Sequence, residues 1–125
     1  MEILTEYTFI GEDEDGSEDL MSAEPGRVTV VRQALYMQDV KDWSKGDRVG
    51  TLHGSLIVGR GKVICHFVFD LEDGHAIVVG GALPPGESNF GEGVLAVTGG
   101  TGQFAKAAGV CVVETMNPKR YLLGL

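Results

Sequence analysis

Cysteine, proline, histidine and basic side chains are all scarce in this 125-residue chain, and most of these shortages remove a class of function. The two cysteines, Cys65 and Cys111, sit in the middle of apolar runs, as free buried thiols do, although spacing alone leaves a disulfide open. His53, His66 and His75 fall in different expected strands and no Cys/His pair has ligand spacing, so no metal site is expected. Against 18 acidic residues stand 10 basic ones, a formal net charge of −8 whose field repels a phosphate backbone and an anionic membrane face. Nucleic acid and membrane are therefore not expected partners. No stretch approaches the ~18 apolar residues of a spanning helix, and the acidic start lacks the basic segment of a secretory signal, so the expected location is cytoplasmic. The absence of a Gly-x-Ser-x-Gly elbow argues against a Ser-His-Asp hydrolase. Gly99-Gly100-Thr101-Gly102 lacks the following Lys-Ser or Lys-Thr and the helix start that would make it a phosphate cradle.

What the chain does have is glycine, 19 residues of it, and a 43% hydrophobic content, a balance that suits a folded protein with many tight turns. Its length fits one compact domain over residues 1–125. Runs rich in Val, Ile, Phe and Thr recur without a sustained 3.6-residue period, which reads as all-β. The expected strands are Glu2 to Ile10, Arg27 to Met37, Arg48 to Val58, Lys62 to Leu71, His75 to Leu83, Gly93 to Thr98, Phe104 to Met116 and Arg120 to Gly124. Gly59-Arg60-Gly61, Glu72-Asp73-Gly74, Gly99 to Gly102 and Asn117-Pro118 favour tight reversals, so neighbours should pair antiparallel in a meander. A meander of that size escapes unpaired edges by closing on itself. The expected architecture is a single eight-stranded antiparallel up-and-down β-barrel, with a sandwich as its competitor. Residues 11–26, where Glu12, Asp13, Glu14, Asp15, Glu18 and Asp19 crowd together, should form an acidic mobile loop over one mouth or a solvated loop without a role. Gln38 to Asp47, with Trp43, should form a helical turn or a second lid.

Arg48-Val49-Gly50-Thr51-Leu52-His53-Gly54 followed by Ser55-Leu56-Ile57-Val58 resembles a strand of plant allene oxide cyclases and dirigent proteins. Further matches follow in order. Phe67-Val68-Phe69 leads through Glu72-Asp73-Gly74-His75 to Val78-Val79-Gly80, Leu95-Ala96-Val97-Thr98-Gly99-Gly100-Thr101-Gly102-Gln103-Phe104 precedes a small-residue run ending in Gly109, and Leu122-Leu123-Gly124-Leu125 closes the chain. The resemblance covers about Arg48 to Leu125 and implies an eight-stranded barrel, an apolar lumen, frequent oligomers and no cofactor. It does not fix the reaction, since related barrels cyclise lipid epoxides, steer phenoxy-radical coupling or close polyketide rings. An ungapped match puts Tyr7 where plant allene oxide cyclases carry a lumenal Glu credited with substrate activation, and Phe9 where they carry a lumenal Asn. That departure argues against allene oxide cyclase activity itself. The same spacing puts Gln38 on another lumenal Asn, with Tyr36, Ala34 and Arg32 on the same parity.

Period-two alternation points Gly50, Leu52, Gly54, Leu56 and Val58 inward and His53 outward, and on the next strand Val63, Cys65, Phe67 and Phe69 inward with His66 and Asp70 outside. The candidate catalytic groups are Tyr7, Tyr36 and Gln38. The candidate substrate contacts are Phe9, Arg32, Leu52, Leu56, Cys65, Phe67, Phe69, Trp43, Glu114 and Tyr121. Each has a plainer role: a rim tyrosine is commonly packing with one hydrogen bond, Arg32 could bridge Glu114, and Trp43 could anchor its own loop. The expected function is a cofactor-independent cyclase or isomerase that folds an apolar, unsaturated, polyketide- or lipid-derived molecule in the lumen, through positioning and one hydrogen bond to a carbonyl oxygen. The alternatives are a non-catalytic dirigent-like or lipocalin-like carrier and a structural barrel with a filled core. Apolar residues on both faces of several strands further suggest a homodimer or homotrimer.

Overall fold

Alternating apolar and polar residues build strands that cannot bury one face alone, and here the sheet buries it against itself. The computed structural model describes residues 6–13, 28–38, 45–85, 90–115 and 119–125. Its strands are β1 (Glu6–Asp13), β2 (Val28–Gln38), β3 (Lys45–Val58), β4 (Val63–Leu71), β5 (Ala76–Leu83), β6 (Gly93–Thr101), β7 (Gly109–Glu114) and β8 (Lys119–Gly124), with a 3₁₀ turn, η1 (Gly102–Phe104), between β6 and β7. Each pairs antiparallel with the next, and β1 pairs with β8 to close the barrel. The expected fold class is thus the observed one.

Several strand ends differ from the sequence expectation, most by one residue and a few by more. β1 runs on through Gly11 to Asp13, β3 starts at Lys45, and β6 continues through Gly99 and Gly100 to Thr101, so the reversal falls on η1 and β7 begins only at Gly109. Trp43, Met116, Asn117-Pro118, Glu2 to Thr5 and most of the 11–26 segment lie outside the described residues.

The inward side chains fill the barrel. Phe9, Leu52, Leu56, Cys65, Phe67, Phe69, Ile77, Val79, Leu95, Cys111, Val113, Tyr121 and Leu123 form one buried cluster. Rings lock its centre: Tyr121 meets Phe67 and Phe69 edge-on at 6.2 and 5.4 Å, and Phe9 stacks on Phe69 at 5.8 Å. Edge-to-face packing of this kind adds about 0.5–1.5 kcal/mol per pair beyond area burial. Gly54 makes room for this packing, because a Cβ there would lie 2.6 Å from Phe67 Cδ1. The space beside Gly54 holds an aromatic ring of the protein.

One polar chain runs through the apolar interior. The Tyr121 hydroxyl donates to Gln33 Oε1, Gln33 Nε2 donates to Asp13 Oδ1 at 2.9 Å, and Asp13 Oδ2 lies 3.8 Å from Lys119 Nζ. Burial pushes the Tyr121 phenol well above its ordinary pKa, so it stays a neutral donor. Burial also pulls the Lys119 ammonium below its ordinary value, opposed by Asp13. By contrast the buried Thr29 hydroxyl has no hydrogen-bond partner among the described residues.

The outer face is unusually apolar in one zone. Val28, Ile57 and Ile64 are neighbours across β2, β3 and β4, and Val94 and Val112 pair across β6 and β7, all of them exposed. Ile10 and Ala34, by contrast, are buried but stand apart from the lumenal cluster.

Two substitutions should separate satisfied from unsatisfied polarity. Thr29→Val removes an unpaired buried hydroxyl at constant shape and should raise stability by about 1 kcal/mol, whereas Tyr121→Phe should cost about 1–3 kcal/mol by stripping Gln33 of its donor. Urea unfolding midpoints measure both.

Candidate functional site

With the middle of the lumen packed, the cavities lined by described residues lie at one end. That end gathers the start of β1, the end of β2, the start of β3, the β4–β5 turn, η1 and the chain end. A cleft of about 300 Å³ lies there, walled by Tyr7, Phe9, Met37, Val49, Leu71 and Phe104, with Arg48, Glu72, Asp73 and Gln103 at its polar edge. A second cavity of about 270 Å³ shares Tyr7, Gln103 and Phe104 and extends to Lys106, Ala107 and Leu125. Tyr7 stacks 6.1 Å from Phe9 and meets Phe104 edge-on at 5.8 Å, so three aromatic rings form a continuous apolar surface from the mouth down to the core.

Local sequence explains this wall. The β4–β5 reversal places Gly74 at φ 86, with Leu71 N–H donating to His75 O at 3.0 Å, a conformation glycine adopts without strain. His75 N–H donates to Asp73 Oδ1 at 3.1 Å, and His75 Nδ1 accepts the backbone N–H of Gln103 at 3.0 Å. Gly102 has φ 62, and a Cβ on it would collide with His75 Nδ1, so no other residue fits. The two motifs singled out in the sequence, Glu72 to His75 and Gly99 to Phe104, are therefore halves of one contact that carries Phe104 into the cleft.

Apart from Trp43, which lies outside the described residues, the expected site residues divide into three groups. Tyr7 and Phe9 line the cleft. Leu52, Leu56, Cys65, Phe67, Phe69 and Tyr121 face the lumen as alternation requires, but they pack against one another and line neither described cavity. The lumenal placing of Arg32, Tyr36, Gln38 and Glu114 is overturned. Arg32 is exposed and pairs in register with the outward His53, and Glu114 follows the inward Val113 and so turns out. Tyr36 lies under Lys45 Nζ at 4.4 Å, and Gln38 Oε1 accepts a hydrogen bond from Arg120 Nε at 2.8 Å on the outside. The inward set on β2 is Thr29, Val31, Gln33 and Leu35. The β2–β3 register shifts at Leu35/Tyr36 and again at Tyr36/Gln38, so a count carried back from Arg48 lands on the wrong face; one residue of slip turns a strand inside out.

Sequence reasoning missed Gln33, Met37, Leu71, Gln103 and Phe104. Phe104 stood at the end of the most distinctive motif, and the run Gly102-Gln103-Phe104 was the available signal. Cys65 and Cys111 are both buried and free. Burial pushes each thiol up to about 12, with a backbone hydrogen bond at Leu83 pulling Cys65 slightly back, so neither is a nucleophile near neutral pH. Among the described residues no three His, Cys, Asp or Glu side chains cluster as a metal site, and no helix is long and apolar enough to cross a membrane.

Fold and cleft together define a closed antiparallel barrel with a filled centre and an aromatic recess at one mouth. A solved structure described as pyocyanin demethylase is similar to it with a TM-score of 0.74 over 95% of this chain and 98% of that one, at 19% identity, a likeness of fold. No family model matches the sequence, and no curated protein does.

The thiols make a pH prediction. In the unfolded chain they ionise near pH 8.5, whereas in the barrel they hold their protons to about 12. The stability tied to them is complete below about pH 8.5 and is lost as pH rises above it. The urea midpoint should fall between pH 8 and pH 10, and a Cys65→Ala/Cys111→Ala variant, weaker at pH 8, should fall less.

Proposed function

We propose that this barrel binds one largely apolar, unsaturated small molecule in the Tyr7–Phe9–Phe104 cleft and promotes its cyclisation or isomerisation there without a cofactor. The observation that carries the reading is the cleft itself: about 300 Å³, the lower end of useful ligand pockets, with aromatic walls and one phenol. An apolar ligand would gain about 25 cal/mol for each Å² of surface removed from water. In this reading Tyr7, the phenol lining the cleft, donates a hydrogen bond to an oxygen that gains charge during rearrangement, and the walls supply orientation. The similar structure is named for demethylating pyocyanin, which supports small-molecule chemistry on a barrel of this build. Allene oxide cyclase activity itself is not proposed, because the resemblance sets Tyr7 where those enzymes carry the activating carboxylate.

A carrier role is the second reading, and the filled lumen favours it. A ligand held at the mouth, beside Arg48 and Gln103, remains reachable by a partner enzyme. Self-association belongs to the proposal as well: the exposed Val28, Ile57, Ile64, Val94 and Val112 supply an apolar outer surface that a second copy would cover. Sedimentation should give a dimer or trimer, and a monomer at high concentration would remove that element.

N-phenyl-1-naphthylamine, an apolar fluorophore, tests the site. Saturable binding is expected, weakened roughly tenfold by Phe104→Ala, the worth of about 1.4 kcal/mol of lost contact, and little changed by Tyr7→Phe. Polyene and polyketide-like substrates then separate the two readings. Product formation with altered stereochemistry, reduced on the order of 10²-fold in Tyr7→Phe, marks the enzyme; saturable binding without product marks the carrier. Absence of saturable binding sinks both.

A further inference from the structure

We infer that His75 is a positioning residue that builds the cleft wall only while its ring is uncharged, so that ligand binding at this mouth weakens with acid. The inference rests on the binding reading above and extends it to the control of that site. His75 Nδ1 accepts the Gln103 backbone N–H at 3.0 Å. A nitrogen can accept that bond only through a free lone pair, so the ring bound to Gln103 is the neutral imidazole with its proton on Nε2. Adding a proton at Nδ1 sets two donors face to face and breaks the contact.

The break falls where it reaches the ligand. Gln103 and Phe104 follow Gly102 in η1 and line both cavities. Phe104 packs edge-on against His75 at 6.2 Å and against Tyr7 at 5.8 Å. Within η1 and its exit the backbone bonds are Ala105 N–H to Gly102 O at 3.2 Å and Ala107 N–H to Phe104 O at 2.9 Å, both local to the turn. The β5–β6 ladder ends at Ala76 and Thr101, and beyond it the link from Gln103 N–H to His75 is a further tie between η1 and the β4–β5 reversal, so releasing it loosens the Phe104 side of the cleft. The charged and titratable groups around this end are Glu72 and Asp73 on the reversal of His75, Arg48 from β3, Tyr7 from β1 and Lys106 after η1. The two carboxylates would attract an imidazolium, so the charged ring has somewhere to turn once it leaves Gln103. His53 and His66 lie on the outer face of β3 and β4, away from the cleft.

The test needs no knowledge of the natural ligand. The Gln103 amide resonance and the His75 ring resonances are followed by NMR from pH 8 to pH 5, the span in which imidazoles take up protons, and binding of N-phenyl-1-naphthylamine is measured at both ends. The Gln103 amide should move with the His75 titration, and affinity should fall about fivefold, the worth of one neutral hydrogen bond. His75→Asn keeps an acceptor oxygen near the Nδ1 position without a titrating ring and should bind the probe equally at both pH values; a His53→Gln/His66→Gln variant should behave as the wild type. A Gln103 amide that ignores the His75 titration overturns the inference, whatever the probe does. So does a pH-dependent affinity that survives in His75→Asn, or a wild-type affinity equal at pH 8 and pH 5. If the amide follows His75 but the probe never binds, the reading of the cleft as a ligand site fails while the link between His75 and the turn stands.

Discussion

Closure of the sheet through the pairing of β1 with β8 is the constraint on which the rest of this structure depends. Once Tyr7, Phe9 and Gly11 lie opposite Leu123, Tyr121 and Lys119, every strand contributes one face to a common interior, and the volume of that interior is set by strand number and tilt rather than by any side chain. An eight-stranded barrel is just wide enough for its own side chains to fill it. This chain supplies large ones at the middle: Phe9, Phe67, Phe69 and Tyr121 meet there. Gly54 is the compensating small residue that lets Phe67 fit. The polar atoms that come with Tyr121 are absorbed by Gln33 and, through it, by Asp13 near the opposite mouth. That chain of donors and acceptors lets a phenol sit in an apolar core at little cost, since an unpaired hydroxyl there would cost about 1–3 kcal/mol.

Filling the middle leaves the described cavities at one end, and the two ends differ. One end carries the acidic Asp13 and the half-buried Lys119. The other carries the aromatic recess, whose wall depends on a contact between two turns distant in sequence. His75 enters that contact because Gly74 permits a tight reversal, and Gln103 enters it because Gly102 has no side chain. Loops displayed on a rigid barrel are where binding surfaces are usually built, and here one of the loops is itself pinned by a side chain from another.

Much of this was legible in the sequence, and the failures fall where the backbone departs from regular pairing. Strand count, antiparallel meander, closure and the facing of β3 and β4 all follow from alternation and turn residues, because Leu52, Leu56, Cys65, Phe67 and Phe69 sit on unbroken pleats. β2 was misread because the β2–β3 pairing is irregular near Tyr36, and a bulge leaves no mark in composition. Arg32 illustrates the physical check that would have caught it: an inward Arg32 would put a charge among Phe and Leu side chains, whereas the neutral Gln33 can satisfy both of its polar atoms there. The recess was hidden for a related reason. Phe104 read as the first residue of a strand, and only the turn geometry at Gly102 shows that it folds back over the mouth.

A recess at the rim shapes the kind of chemistry that fits it. A deep, closed lumen speeds reactions partly by excluding water, which strengthens every charge interaction inside. A half-open cleft cannot rely on that. What it can supply is a fixed surface: Phe9 is anchored in the packed core, Phe104 is held by η1, and Tyr7 bridges them. Orientation by rigid walls lowers a barrier through entropy without needing a dry site, and it acts most strongly on molecules with many free torsions and few charges. A flexible apolar substrate that must be bent into one shape is therefore the kind this mouth suits, and a reaction that proceeds through a strongly charged intermediate is the kind it does not.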